Sequence, residues 1–180
     1  CRAHRGSEIG RQGIPVASLK DVTLTFDVFS ALIDSRRGGA TCLGRLHRER
    51  ASWMSAEQIY DDWDRRNKQY QAACKTWMPW IDLARSALAD TYREHQLRGD
   101  ARRDCDELVA SMSEWPLWPD VAELAPTWPA GQVGQVGQVG LLSNIDDDLL
   151  AMTAAAALPM VDQSKVLTSE ALGSYKPAAN

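Results

Sequence analysis

The chain has 180 residues, 44% of them hydrophobic, and 24 acidic against 20 basic side chains give it a net charge of −4. That content supports one packed domain with room for an insertion. The mild negative charge gives no electrostatic basis for nucleic-acid binding, and no apolar run of about 18 residues is present to span a membrane.

Residues 1–18 are polar and basic and read as a disordered arm. They lack the apolar centre of a secretory signal, and a cytoplasmic protein is expected. Position 1 is not Met, so the sequence reads as a fragment. The cysteines, Cys1, Cys42, Cys74 and Cys105, and the histidines, His4, His47 and His95, are scattered with no tight ligand pair. Reduced thiols are therefore expected and a metal site is not.

Asp21 to Phe26 alternates as a strand, with Val22, Leu24 and Phe26 on one face and Thr23 and Thr25 on the other. Asp27 stands at its exit, and Gly38 and Gly39 mark a flexible connection after it. From residue 40 to about 113 the spacing turns helical. Ser55 and Gln58 form a capping box. Ile59, Trp63, Tyr70 and Trp77 share one face of the helix that follows. Pro79 can start another, carrying Ile81, Leu88 and Tyr92. Cys105, Leu108, Val109 and Met112 mark a third. The Trp and Tyr residues read as core in preference to a ligand box.

SEWPLWPD, Ser113 to Asp120, is a proline-punctuated return, and a short helix over Val121 to Ala125 follows. GQVGQVGQV, Gly131 to Val139, is a three-residue repeat that reads as an expanded loop whose last Val can begin a strand. It lacks the GKS or GKT ending of a phosphate loop. Gly140 to Leu142 form the second strand, which runs into SNIDDD. A helix is expected from Asp146 to Ala157, with Asp146 to Asp148 complementing its dipole in preference to binding a cation. Lys165 to Thr168 read as a third strand, and GSYKP, Gly173 to Pro177, as a turn.

Strands alternating with helices predict an α/β fold: a Rossmann-like parallel sheet core over 19–36 and 116–180, with an inserted helical cap domain over 37–115. In such sheets ligands collect at the carboxyl ends of strands. Asp27, Ser143 and Asn144 all lie there. Alone, each has a plainer reading: Asp27 as a turn cap, Ser143 and Asn144 as a helix start, and Lys176 as a loop lysine.

DVFSALID at 27–34, LLSN at 141–144 and YKP at 175–177, in that order and around a helical insert, resemble the haloacid dehalogenase superfamily, and most closely its type II dehalogenase branch. The resemblance implies that Asp27 is a nucleophile forming a covalent aspartyl intermediate that water hydrolyses. It implies that Ser143 bonds a substrate oxygen or the nucleophile, that Asn144 helps bind departing halide, and that Lys176 holds the nucleophile and balances charge. Phe29 stands where the superfamily's phosphatases carry a second aspartate that protonates an alkoxide. Halide needs no such proton, so Phe29 favours carbon–halogen displacement and lines a drier substrate site.

The chain departs from the branch at Ala31, where Thr is usual, and at Asp64, where a halide-binding arginine aligns. Arg65 and Arg66 are the candidates to replace that arginine, against the plainer role of a solvated face. The fourth motif, a pair of acids, would lie beyond Lys176, so the chain reads as C-terminally truncated. The expected function is hydrolysis of a small anionic substrate without a cofactor, in the manner of the dehalogenases. A Mg²⁺-dependent phosphatase and a truncated non-catalytic remnant are the alternatives. Homodimerisation is left open.

Overall fold

The structure, a computed structural model, describes residues 23–48, 50, 52–127 and 138–177. The expected arm over 1–18 and most of the GQV repeat lie outside these residues. The described part is α/β, with a three-stranded parallel sheet and seven α-helices. The elements run β1 (Thr23–Phe26), α1 (Ser35–His47), α2 (Ala56–Ala73), α3 (Trp80–Glu94), α4 (Ala101–Ala110), α5 (Pro119–Leu124), β2 (Gln138–Ser143), α6 (Asp147–Ala151), β3 (Val166–Thr168) and α7 (Ser169–Leu172). Among these residues no helix is long and apolar enough to cross a membrane.

The strand order is β1-β2-β3, with Thr25 opposite Gly140 and Leu141 opposite Val166. Because all the pairs are parallel, the carboxyl ends of the strands open on one edge. That edge carries Asp27, Ser143 and Asn144. β2 is central and buries Val139 and Leu141. β1 departs from expectation: it has an apolar face in sequence, yet Leu24 is exposed, because β1 is a sheet edge that the described residues leave largely uncovered.

The helical segment folds as its periodicity predicts, and its capping box forms. The Gln58 amide N–H donates to Ser55 Oγ at 3.2 Å, and the Ser55 amide N–H donates to Gln58 Oε1 at 2.9 Å. Ile59, Trp63, Leu88, Cys105, Leu108 and Met112 are buried together. Burial of each large apolar side chain stabilises by roughly 1.5–3 kcal/mol. The buried Trp63 indole N–H donates to Ala84 O at 3.0 Å and so ties α2 to α3. α2 stops at Ala73, so Trp77 lies in the following loop and not on the α2 face.

The largest correction concerns Gly38 and Gly39. They are not a flexible connection; both are buried inside α1, which Asp34 caps by accepting the Arg37 amide N–H at 3.1 Å. A Cβ at 38 would lie 2.4 Å from Trp115 Cγ, and one at 39 would lie 2.3 Å from the Tyr60 ring. The pair is there for close packing. Gly38→Ala should therefore lower stability, because overpacking costs about 1–3 kcal/mol against a helix-propensity gain of about 1 kcal/mol. A raised melting temperature for this variant would refute that account.

Shorter elements also differ. The helix expected over 146–157 ends at Ala151, where the Thr153 hydroxyl donates back to Leu150 O at 2.8 Å. The chain then turns to bury Leu158, Met160 and Val161, so packing overrides the helical preference of the alanine run. The acid run does serve a helix terminus, but Asp146 caps α3 rather than α6. The Asp146 carboxylate accepts from the Trp80 N–H at 2.7 Å and the Ile81 N–H at 3.2 Å. α3 needs this because its N-cap, Pro79, has no side-chain acceptor. The contact fastens the β2 exit to the helical segment.

Candidate active site

Asp27 leaves β1 half-exposed, and the chain then folds tightly back on itself. The amides of Leu32 and Ile33 both donate to Val28 O at 3.0 Å. Asp27 Oδ1 accepts the Val28 N–H at 2.9 Å and the Lys176 ammonium at 3.1 Å. Lys176 Nζ also donates to Leu142 O at 2.5 Å. Asp27 Oδ2 has no hydrogen-bond partner among the described residues, and Asp27 lines the cavity.

Asn144 is a strap. Its Oδ1 accepts the Lys176 backbone N–H at 2.8 Å, and its Nδ2 donates to Lys176 O and to Gln71 Oε1, both at 3.1 Å. The amide's two N–H bonds are thus committed to holding the Lys176 segment and α2 against the β2 exit. Beside it, the Ser143 hydroxyl is buried without a partner. Buried polar atoms are rarely left so, and Ser143 is one of the residues that line the cavity.

The cavity holds about 250 Å³ and is lined by Asp27, Ser143, Asn144 and Lys176 on the sheet side. Its apolar wall is a train of rings. Phe29 lies nearly parallel to Trp80 with centroids 6.5 Å apart and meets Trp115 edge-on at 6.0 Å, while Trp63 crosses Trp80 at 6.2 Å. Across from Asp27, α2 contributes Tyr60, Trp63, Asp64, Asn67, Lys68 and Gln71. These residues recur at helical spacing, so all share one face.

The three separated motifs therefore meet: Asp27, Phe29, Ser143, Asn144 and Lys176 line one cavity. Arg65 and Arg66 do not join them. Arg66 Nε donates to Asp62 at 2.7 Å, and Arg65 reaches the same carboxylate and Gln69. Both guanidinium groups are spent on a neighbouring face of α2, so neither replaces the missing arginine in this arrangement. Asp64 does line the cavity, in an ion pair with Lys68 at 2.6 Å. Ala31 is exposed and absent from the lining. Sequence reasoning missed Asn67, Lys68 and Gln71. Their spacing from Trp63 was a usable signal, but a cavity face and a core face of one helix share a period.

Other acids are set by structure away from the cavity. Desolvation pushes the Asp62 carboxyl up, but the bonds from Arg66 and Arg65 outweigh it and hold the group well below the usual carboxylate range. Burial raises Asp146, opposed by its two backbone bonds. Burial also pushes the Cys105 thiol up to about 12, which makes it inert.

Comparison with solved structures finds this architecture among dehalogenases. A dehalogenase with an intermediate complex matches at TM-score 0.66 and 24% identity, over 90% of this chain and 67% of that one. L-2-haloacid dehalogenase from Xanthobacter autotrophicus with chloropropionic acid covalently bound matches at TM-score 0.62 and 23% identity, over 86% of this chain and 59% of that one. A HAD-hydrolase from Bacillus subtilis bound to magnesium matches at TM-score 0.66 and 16% identity, over 87% and 68% of the two chains. This chain has the haloacid dehalogenase fold and spans 59–68% of the length of these three structures. No family model and no curated protein matches it.

Among the described residues, the side chains lining the cavity do not offer a divalent cation a site. The two acids lining the cavity, Asp27 and Asp64, are each paired with a lysine, and residue 29 is Phe. Among the described residues no three His, Cys, Asp or Glu side chains converge to hold a metal.

Proposed function

We propose that the chain carries the reaction centre of a cytoplasmic hydrolase in which Asp27 displaces halide from a small organic halide. The observation that carries this reading is the asymmetry of the Asp27 carboxylate in the cavity lining: Oδ1 is held by Lys176 and the Val28 N–H, while Oδ2 has no partner among the described residues. Oδ2 attacks the substrate carbon, the carbon–halogen bond breaks, and halide leaves with the bonding pair. Water then cleaves the aspartyl ester, releasing the hydroxylated product and a proton and regenerating the carboxylate. Lys176 balances the charge of the ester-cleavage step. The unpartnered Ser143 hydroxyl bonds the bound substrate. Asn144 acts as a positioning residue for Lys176 and not as the halide ligand the resemblance implies. Phe29, Trp80 and Trp115 dry the site, and residues 37–115 act as a cap over the core.

The halogen reading is favoured over phosphate-ester hydrolysis because Phe29 is an aromatic ring stacked on Trp80, where an acid would be needed to protonate an alkoxide. The test pairs chloride release from 2-haloacids, the compounds named in the neighbours, with a screen of phosphate esters with and without Mg²⁺. Chloride release alone is the expected result. Phosphate release that depends on Mg²⁺ would replace the reading with the phosphatase, and a flat baseline with a cooperative melt would replace it with the non-catalytic remnant.

A further inference from the structure

Lys176 stands in a turn and not in a helix or strand, so no regular ladder fixes the backbone from which its ammonium reaches Asp27. Both of its backbone polar groups go instead to one side chain. The Lys176 N–H donates to Asn144 Oδ1 at 2.8 Å, and Lys176 O accepts from Asn144 Nδ2 at 3.1 Å. That spends one of the two Nδ2 hydrogens. The other goes to Gln71 Oε1 at 3.1 Å, in the last turn of α2. The turn that carries Lys176 is therefore hung, through Asn144, on a helix some seventy residues away in sequence.

Ordinary packing does not call for a glutamine here. Gln71 is buried at 7% exposure, where an apolar side chain is the usual occupant. Its side chain makes no other hydrogen bond among the described residues, so its polar end serves Asn144 alone. The contact also has a companion. Tyr175, next to the lysine, is buried, and its hydroxyl donates to Met78 O at 2.8 Å in the loop between α2 and α3. Residues 175 and 176 are thus tied at two points to the α2–α3 junction.

We infer that Gln71 is a positioning residue for Lys176, acting through Asn144. Its oxygen completes the hydrogen bonds of the Asn144 amide, the amide fixes the turn, and the turn sets where the ammonium stands between Asp27 Oδ1, at 3.1 Å, and Leu142 O, at 2.5 Å. Lysine is a compact charge on a flexible four-carbon stem, so its placement depends on where its backbone is held. Without the Gln71 acceptor one Asn144 N–H goes unpaired, the turn loosens, and the ammonium leaves its two partners more often. The catalytic meaning of this placement rests on the proposed role of Lys176 beside Asp27.

The test reads the lysine directly. Amines are acylated with an N-hydroxysuccinimide ester, and the labelled positions are quantified by mass spectrometry with Lys165 as the internal reference. In Gln71→Leu the ratio of Lys176 to Lys165 labelling should rise about tenfold, equivalent to about 1.4 kcal/mol, the scale of one lost hydrogen bond. Gln71→Glu keeps the acceptor oxygen and should label as the wild type does. An unchanged ratio in Gln71→Leu, an equal rise in Gln71→Glu, or a rise of both lysines together, which marks general loosening, would overturn the inference. If Gln71→Leu does not fold, Gln71→Met, unbranched and without the amide, takes its place. Chloride release from 2-chloropropionate keeps this apart from the hydrolase reading. A ratio that rises while the wild type releases no chloride keeps the positioning and removes the Asp27 displacement; a ratio that does not move while the wild type releases chloride does the reverse.

Discussion

Asp27→Asn is expected to reduce chloride release by at least about a thousandfold, about 4 kcal/mol of barrier, with little change in melting temperature. The two halves of the prediction have different origins. An amide oxygen lacks the charge and nucleophilicity of a carboxylate oxygen, so the covalent step fails. Stability survives because the Asp27–Lys176 pair is only partly buried, with side chains 52% and 33% exposed, and such pairs contribute about 0–1 kcal/mol. A variant with near-wild-type turnover would remove Asp27 from the nucleophile's role. A variant that unfolds would show that the carboxylate is structural.

The second large effect belongs to the helices. Asp104 on α4 is 1% exposed and gathers three other elements around its carboxylate. Arg50, between α1 and α2, reaches it with both terminal nitrogens, the Tyr92 hydroxyl of α3 donates at 2.8 Å, and Tyr92 in turn meets His47 Nε2 of α1 at 2.6 Å. Asp104→Ala should destabilise by about 3–5 kcal/mol, because it leaves the Arg50 guanidinium and the Tyr92 hydroxyl without their acceptor. Chemical denaturation of the variant and wild type measures this. A loss below about 1 kcal/mol would show that the cluster is incidental.

The same cluster predicts the acid response. Desolvation raises the Asp104 carboxyl, but the bonds from Arg50 and Tyr92 outweigh it and the group is held low; Asp62 is held low by Arg66 and Arg65 against the same opposing burial. A carboxyl whose folded pKa is depressed stabilises the fold above its unfolded value of about 4, and that stability drains away as pH falls. His47 is lowered by burial and then by Arg50, so its contribution is lost earlier, as pH falls below about 6.5. Asp146, raised by burial, works the other way: its contribution is present in acid and lost as pH rises through its elevated value. Two depressed carboxyls and the histidine outweigh it. Melting temperature should therefore fall from pH 7 to pH 5 and more steeply below pH 4, and Asp104→Ala should flatten the lower limb. A wild-type melting temperature equal at pH 7 and pH 4 would contradict this.

Much of the architecture was legible because it rests on local pattern. Period-two and period-3.6 spacing placed β1, α2, α3 and β2, the Ser55–Gln58 box marked where α2 starts, and the alternation of elements implied a parallel sheet whose strand ends share an edge. With that edge, Asp27, Ser143 and Asn144 could be expected to meet, whereas Lys176 was joined to them only by the resemblance to the haloacid dehalogenases. Local pattern could not reveal what a residue touches across the fold. Gly38 and Gly39 read as a loose joint because glycine is a poor helix former, and only the rings of Trp115 and Tyr60 pressed against α1 explain them. Arg65 and Arg66 read as a reserve of positive charge until Asp62 was seen to consume both. Asp146 read as a charge complementing the dipole of its own helix, yet Pro79 left a stronger demand elsewhere.

The amino-acid sequence by itself determined the order of the elements, the faces they bury and the edge on which the chemistry would gather, since these follow from spacing along one chain. Tertiary structure alone decided which polar groups are spent on one another and which are left open. That is why Asn144 became a strap, Ser143 an unpartnered hydroxyl and the cavity electrically balanced: hydrogen bonds and ion pairs are settled by neighbours distant in sequence, and a one-dimensional pattern carries no record of them.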